Sequence, residues 1–447
     1  MIVRPPQHRT SIDPACNATT AVEGGSGRRE ARNTMVMEAY QVVLRVGWIF
    51  KTETIIMPAV LDAVVDSGLL RGLLPVLNRG GQSLPPLLAA GPLARLPVKK
   101  WSLVRTTLLM SVWFALLAVA WAPLQARRPD LLAGLFLVVY ALFSASNGLN
   151  QLTAAALQGK LISPGHRGRA MVVSVVVGSV LAILAAILFL GPWLAESAGF
   201  PKIFGMTAVF FGVAAVLPIL FDEPPDTVQQ VHDPGVMRGR AGGIVTAAGS
   251  TNWVATLQAD RSLLRLCVVA ACFSAVLMLF PHYQAFARDQ LGSRIGSLLT
   301  WVVAQNVATG FASVVAGPVA DRRGTRIVLI WLVALSSLTP LVVILLSALP
   351  HSTAVELFWL VYLPLGLNPI SLKIFTNYAL ELAPRSADHP RYVSIVGAAL
   401  AAPFVLSPAV GMAVDGIGFT PVFAAGAAVI MAGAAVAIAL PEPRSVA

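Results

Sequence analysis

Gly317-Pro318-Val319-Ala320-Asp321-Arg322-Arg323-Gly324-Thr325-Arg326 is the stretch on which the fold turns. Only a few residues separate the apolar runs on either side of it, 296–320 and 327–348. Each run has the roughly 20 apolar residues that a helix needs to cross a hydrocarbon core. So short a connection between two such runs is a hairpin at a membrane surface. Gly317 removes a side chain where two helices can approach closely, and Gly324 permits a tight reversal. Asp321 suits a helix N-terminus or an arginine across the same half. Arg322, Arg323 and Arg326 mark the side of the membrane that collects basic residues.

Ten further runs surround this hairpin, at 44–66, 72–94, 106–126, 131–158, 171–195, 203–221, 264–287, 354–380, 392–414 and 418–440. The first two of the twelve are the least apolar. A polar stretch, 222–263, joins six runs to six and carries Asp222, Glu223, Pro224, Pro225, Asp226, Asp233 and Pro234. Within it, 244–258 could form a short interfacial helix. The expected organisation is a disordered cytoplasmic tail over 1–40, a bundle over 41–221, a cytoplasmic linker over 222–263 and a second bundle over 264–441.

Composition agrees with this reading. Of 447 residues, 56% are hydrophobic and 12% charged, and the mean hydropathy is +0.75. A soluble domain carries about 25% charged residues. Soluble enzyme, nucleic-acid binder and disordered scaffold are thereby excluded as descriptions of the whole chain. The net charge of +11 would suggest nucleic acid in a soluble protein. Here it sets topology. With the N-terminus inside, sixteen Lys/Arg fall on the internal connections and six (Arg71, Arg127, Arg128, Lys202, Arg288, Arg294) on the external ones. Both termini are therefore expected in the cytoplasm. The protein is expected to be an integral, monomeric component of a bacterial-type inner or plasma membrane.

Residues 1–38 hold no apolar core of a signal peptide, and Met35 or Met37 could be the natural start. Cys16, Cys267 and Cys272 have no disulfide or metal spacing and read as packing residues. No Walker A sequence, zinc-protease motif or nucleophile elbow occurs. Neither an enzyme nor a metal or cofactor is expected.

The halves repeat. Gly91-Pro92-Leu93-Ala94 ends the second run as Gly317-Pro318-Val319-Ala320 ends the eighth, 226 residues later. Gly148-Leu149-Asn150 lies in the fourth run and Gly366-Leu367-Asn368 in the tenth, 218 residues later. Both offsets are close to half the chain, which indicates a duplicated six-helix unit. In the first-half loop, Arg95 replaces the acid and Val98 the second glycine, while Lys99 and Lys100 keep the basic pair.

The 317–326 loop resembles the signature loop of the major facilitator superfamily, matching at Gly317, Asp321, Arg322, Gly324 and Arg326 and departing at Thr325. Together with the twelve runs and the repeat, the resemblance covers about 40–440. It implies an all-α polytopic membrane protein with 12 transmembrane helices in two pseudo-symmetric six-helix bundles. It also implies a central cavity, alternating access by rocking, and secondary transport of a small solute. In the superfamily the first-half loop is usually the better copy. Here Gly91 survives but Arg95 stands where the acid belongs, which marks a divergent branch and puts the usual first-half gating ion pair in doubt.

Ionisable groups inside membrane helices are costly and default to function. The candidates are Lys51, Glu53 and Asp62 in the first run, Arg79 in the second, His282 in the seventh and Lys373 in the tenth. On a continuous helix Lys51 and Asp62 share a face about 16 Å apart, and Glu53 points nearly opposite to Lys51. Each would then need a partner on another helix, or water. The competing reading puts Lys51 and Glu53 at the cytoplasmic interface, with Lys51 snorkelling. Arg79 reads as an anion-binding or relay group paired with Glu53 or Asp62, or as half of a structural ion pair. Asn78 and Gln82 share one face beside it. Polar stripes add Asn147, Asn150 and Gln151 in the fourth run and Gln305-Asn306 in the eighth. Asn368, Lys373 and Asn377 form another in the tenth, and Tyr283 follows His282 in the seventh. Such amides line a cavity or simply bind helices together. The resemblance implies that helices one, four, seven and ten surround the cavity. Glu53 is the preferred protonation site, and His282 an alternative proton-coupling group or a structural histidine. The leading expectation is a transporter of a small polar or charged solute, with protons as candidate coupling ions. An exporter of amphipathic compounds and a non-transporting sensor are the alternatives.

Overall fold

The computed structural model describes residues 14–196, 199–225, 253–293, 297–384 and 389–442. Among them, ten helical stretches are long and apolar enough to cross a membrane. They are Lys100–Arg127, Pro129–Leu161, Ser174–Leu194, Gly199–Leu220, Arg261–Leu291, Leu298–Ala320, Thr325–Ser347, His351–Leu382, Arg391–Ile417 and Phe419–Ile438. These are the third to twelfth spans. The first two are helical as well, as Pro14–Phe50 followed by Ile56–Asp62, and as Gly68–Ala94. They are less apolar because the second span holds four prolines and the first span several charges. The molecule is all-α and polytopic, and twelve spans are consistent with it.

Helix packing repeats between the halves. The first span packs on the fifth and sixth, as the seventh packs on the eleventh and twelfth. The second packs on the fourth as the eighth does on the tenth, and the third on the sixth as the ninth does on the twelfth. Between halves, the start of the second span lies against Ser407–Ile417 of the eleventh, and Ile56–Asp62 lies against the seventh. These contacts gather at the face opposite the chain ends. We call that the far face, and the other the terminal face. Towards the terminal face such contacts between halves thin out, and Gln151 of the fourth span and Lys373 and Asn377 of the tenth are exposed, which marks a cleft there.

Three expectations change. The segment expected to be a disordered tail over 1–40 is helical from Pro14, while 1–13 fall outside the described residues. Asn33, Met37 and Tyr40 are buried. Asn33 holds the helix to the end of the sixth span, donating to the Asp222 carbonyl at 3.1 Å and accepting from its amide at 2.9 Å. Polar composition hid this packing because the polar groups are satisfied in pairs rather than by water. The linker, expected over 222–263, begins folded onto the first half through Asp222 and Glu223. Of the expected 244–258 helix, only the part from 253 is described, as Trp253–Ala259. The seventh span starts at Arg261, capped by Asp260, whose carboxylate accepts from Ser262 and Leu263 amides at 2.8 and 3.1 Å. Finally, a Cβ on Gly317 would meet nothing within 4 Å, so no helix approaches there.

The first span is not continuous. Its helix stops at Phe50 and resumes at Ile56. Pro58 explains the break: in a continuous helix its ring would clash with the Thr54 carbonyl, four residues back. In the first turn of a new helix its missing N–H is not needed. The Thr52 carbonyl accepts from the amides of Ile55, Ile56 and Met57 at 3.3, 2.8 and 3.2 Å, closing the turn.

Candidate functional site

The unwound turn brings Lys51 and Glu53 together. Lys51 Nζ donates to Glu53 Oε1 at 2.6 Å. Residues two apart diverge on a helix, so the expected opposition of these side chains fails where the helix does. Lys51 is fully enclosed, its ammonium 3.6 Å from the Trp48 ring centroid and 4.2 Å from that of Phe143. The Glu53 side chain keeps 28% of its exposure. Glu53 therefore faces the cleft, and Lys51 is its buried counter-ion, stabilised by two aromatic faces. The interfacial reading fails for both. Asn33 at the terminal face is eighteen residues from Lys51, about 27 Å of helix.

Arg79 lies on the second span where it passes the Ala402–Leu406 turn of the eleventh. Nearer the far face these helices touch backbone to backbone. A side chain on Gly68 would strike the Gly411 carbonyl, one on Gly411 the Gly68 carbonyl, and one on Gly72 the Ser407 carbonyl. Gly68 N also donates to Asp415 Oδ2 at 2.8 Å. Two turns below Gly72, Arg79 lies over the Phe404 ring of the other half, 5.7 Å from its centroid. Among the described residues no ion pair within 4 Å joins Arg79 to Glu53 or Asp62, but the Glu53 charge acts on Arg79, so of the two expected acids Glu53 is the one beside it. Beside it, Asn78 donates to the Tyr140 hydroxyl at 3.1 Å and Gln82 donates to Asn78 at 2.7 Å. Thr54 donates to Gln305 at 2.6 Å and so links the broken turn to the eighth span.

Lys51, Glu53, Asn78, Arg79, Gln82 and Gln305 thus gather near the apex of the cleft. Asn147 is buried on the fourth span, its amide nitrogen without a hydrogen-bond partner among the described residues. Gln151, Lys373 and Asn377 are exposed. Other expected site residues serve packing. Asn150 accepts from Tyr40 at 3.0 Å and donates to Thr107 at 2.7 Å, tying the first, third and fourth spans. Asn306 and Asn368 donate to carbonyls of neighbouring turns, Val302 at 2.9 Å and Leu365 at 2.9 Å. Tyr283 packs on Phe423, 5.1 Å between centroids. Trp48, Tyr140 and Phe404 are not marked in the sequence, because an aromatic residue in an apolar run does not reveal which neighbour it packs on. Arg45 went unread although its charge, six residues before Lys51, was visible.

Asp62 belongs to the far face. Arg71 Nε binds its Oδ1 at 2.5 Å and also engages Asp66. Arg288 of the seventh span reaches Asp66 at 2.8 Å, Asp62 Oδ2 at 3.5 Å and the Asp62 carbonyl at 3.2 Å. Asp289 completes the group, 4.0 Å from Arg71. Slight burial pushes the Asp66 carboxyl up, but the hydrogen bonds and charges of Arg288 and Arg71 outweigh it and hold it below the ordinary carboxylate value. His282 is buried nearby, both ring nitrogens without a partner among the described residues.

The terminal face holds the two loops. Gly324 turns at φ +90° and packs on the Glu442 carboxylate. Arg326 donates to the Ile438 carbonyl at 2.7 Å, and Arg95 is exposed. Side-chain placement of Gly91 and Asp321 lies outside the described residues, and Arg322 is exposed. Where the first-half loop lacks its acid, Glu223 supplies one from the end of the sixth span. Its buried carboxylate accepts from Lys99 N at 2.8 Å, Lys100 N at 2.7 Å and Lys160 Nζ at 2.8 Å.

Comparison with solved structures finds the nucleoside transporter NupG in two forms. A single-residue mutant of it matches with a TM-score of 0.65 at 11% identity, covering 91% of this chain and 99% of that one. The other form gives a TM-score of 0.62 at 12% identity, covering 91% and 98%. At such identity the likeness is one of fold. No curated protein matches the chain. A family model, the Major Facilitator Superfamily, matches residues 72–296, half of the sequence. The chain belongs to the Major Facilitator Superfamily and is a membrane transporter of that fold.

Proposed function

We propose that the protein is a secondary transporter that moves a small polar or charged solute by alternating access, with Glu53 as the coupling group. The observation that carries this reading is the Lys51–Glu53 pair, set at a helix break at the apex of a cleft that is closed at the far face. Protonation of Glu53 would remove the charge that holds Lys51, so proton binding and the shape of the broken turn are linked. The excess of basic residues on the terminal-face loops supports a cytoplasmic terminal face, with the cleft open inward. Nucleosides, named for the structural neighbour, belong in the first panel of solutes.

Counterflow in proteoliposomes at two external pH values tests the reading. Glu53→Gln is expected to abolish pH-driven accumulation while solute exchange persists. Unchanged accumulation in that variant, in a folded preparation, removes Glu53 from the mechanism. Absence of flux with solute binding retained would favour a sensor.

A further inference from the structure

The charges that face the cleft do not balance. Glu53 is already matched by Lys51 at 2.6 Å. Arg79 is left over, partly buried about 16 Å of helix from Gly68 at the far face. Among the described residues it has no ion-pair partner within 4 Å: it lies over the Phe404 ring, and the one acid whose charge reaches it, Glu53, is already held by Lys51. Lower in the cleft, Arg45 of the first span has a buried Nε without a hydrogen-bond partner. Lys373 of the tenth span, in the opposite half, is close enough for the two like charges to act on each other. Arg45 and Lys373 thus put like charges on opposite halves, and among the described residues neither has an ion-pair partner. Glu38 and Glu381 are two turns nearer the terminal face on the same two helices, more than about 10 Å along each axis.

An unmatched guanidinium at membrane depth is expensive, and so are like charges brought together in low dielectric. The missing partner has to be negative. A guanidinium presents a planar fork of donors that fits a carboxylate or similar oxyanion on two oxygens. We propose that the transported solute is an organic anion whose oxyanion group is held by Arg79, with Arg45 and Lys373 drawing it into the cleft. This inference rests on the transporter reading and names its solute class. It also gives binding a consequence: an anion between Arg45 and Lys373 removes the repulsion that opposes approach of the two halves. Phe404 places the other half directly against the group that binds.

Two measurements test it. The first is counterflow with lactate, benzoate, uridine and benzylamine in proteoliposomes of the full chain. Carboxylates are expected to exchange, Arg79→Gln to lower their exchange at least ten-fold, and Arg79→Lys to restore part of it. Exchange of uridine or benzylamine without the carboxylates overturns the inference and leaves the transporter reading standing. The second measurement needs no solute. Gln82→Cys, one turn from Arg79, is placed in a background with Cys16, Cys267 and Cys272 replaced by Ser. It is then labelled with an anionic or a cationic methanethiosulfonate. The anionic reagent is expected to be favoured about ten-fold over its ratio with a free thiol at low salt, and Arg79→Gln to erase that preference. If no solute exchanges, this ratio decides alone, and a value at or below that of the free thiol overturns the proposal.

Discussion

The two faces of the molecule are held by different means. At the far face, charged side chains join the halves: Arg288 of one half grips Asp62 and Asp66 of the other, and Arg71 reaches towards Asp289. At the terminal face, the named bonds join parts of one half. Glu223 gathers the first half's loop, while Arg326 to Ile438 and Tyr378 to Pro441 gather the second. In the proposed alternating access, a contact between halves would have to break when the access side changes, whereas a contact within a half would be carried along unchanged. On that reading the far-face charges would set the conformational equilibrium, and the terminal-face clasps the rigidity of each bundle.

The largest effect expected from this contrast is at Arg71. Replacing it with Ala leaves Asp62 enclosed, its side chain 1% exposed, with only the 3.5 Å contact to Arg288. Removing one partner of a buried ion pair costs about 3–5 kcal/mol. Thermal unfolding should fall sharply, and thiol labelling near Ser67 should rise as the far face loosens. Stability and labelling like the wild type would show that the backbone contact alone closes this face. A smaller effect, about 1–2 kcal/mol, is expected for Glu223→Gln, which weakens a cap on the third span and releases Lys160. It should lower the unfolding temperature without changing far-face labelling. A change in labelling there would mean the two faces are coupled. The smallest effect concerns pH. Asp66 is held below its ordinary value, so its stabilisation is present above about pH 4 and fades as pH falls through the folded value. Because the group is mostly exposed, the effect is below about 1 kcal/mol. The difference in stability between wild type and Asp66→Asn should be visible at pH 7 and vanish in acid. A difference that grows on acidification would reverse the assignment.

Much of the architecture was legible from the sequence. Apolar runs and the paired Gly-Pro loops lead to the spans and to the duplication, because membrane thickness leaves a helix few lengths to choose from. The break in the first span was harder to read. Lys51-Thr52-Glu53-Thr54 contains neither Gly nor Pro, and the cause, Pro58, acts four residues upstream of itself. Helical geometry sets Lys51 and Glu53 apart, and only the break, which the local sequence does not announce, lets them pair. Arg71 and Arg288 were counted as loose topology markers, since residues at the ends of membrane runs usually are. Packing shows them to be the far-face lock, a property of distant sequence neighbours that no local pattern encodes. Glu223 was placed in a linker for the same reason: its partners at Lys99, Lys100 and Lys160 are more than sixty residues away.

The interrupted first span divides the molecule in a place the covalent chain does not suggest. Pro14–Phe50 is packed into the first bundle, while Ile56–Asp62 lies against the seventh span of the second. Asp62 also pairs with Arg71 of the second span, so this short helix is held by both halves, and under the proposed alternating access it is where they bear on one another. Any bending of the first span at the Lys51–Thr54 turn would fall on the very residues that hold the Lys51–Glu53 pair. Under the proposed function, a change of charge there would alter the stiffness of the turn itself, so a bound proton or solute would need no long path to act on it.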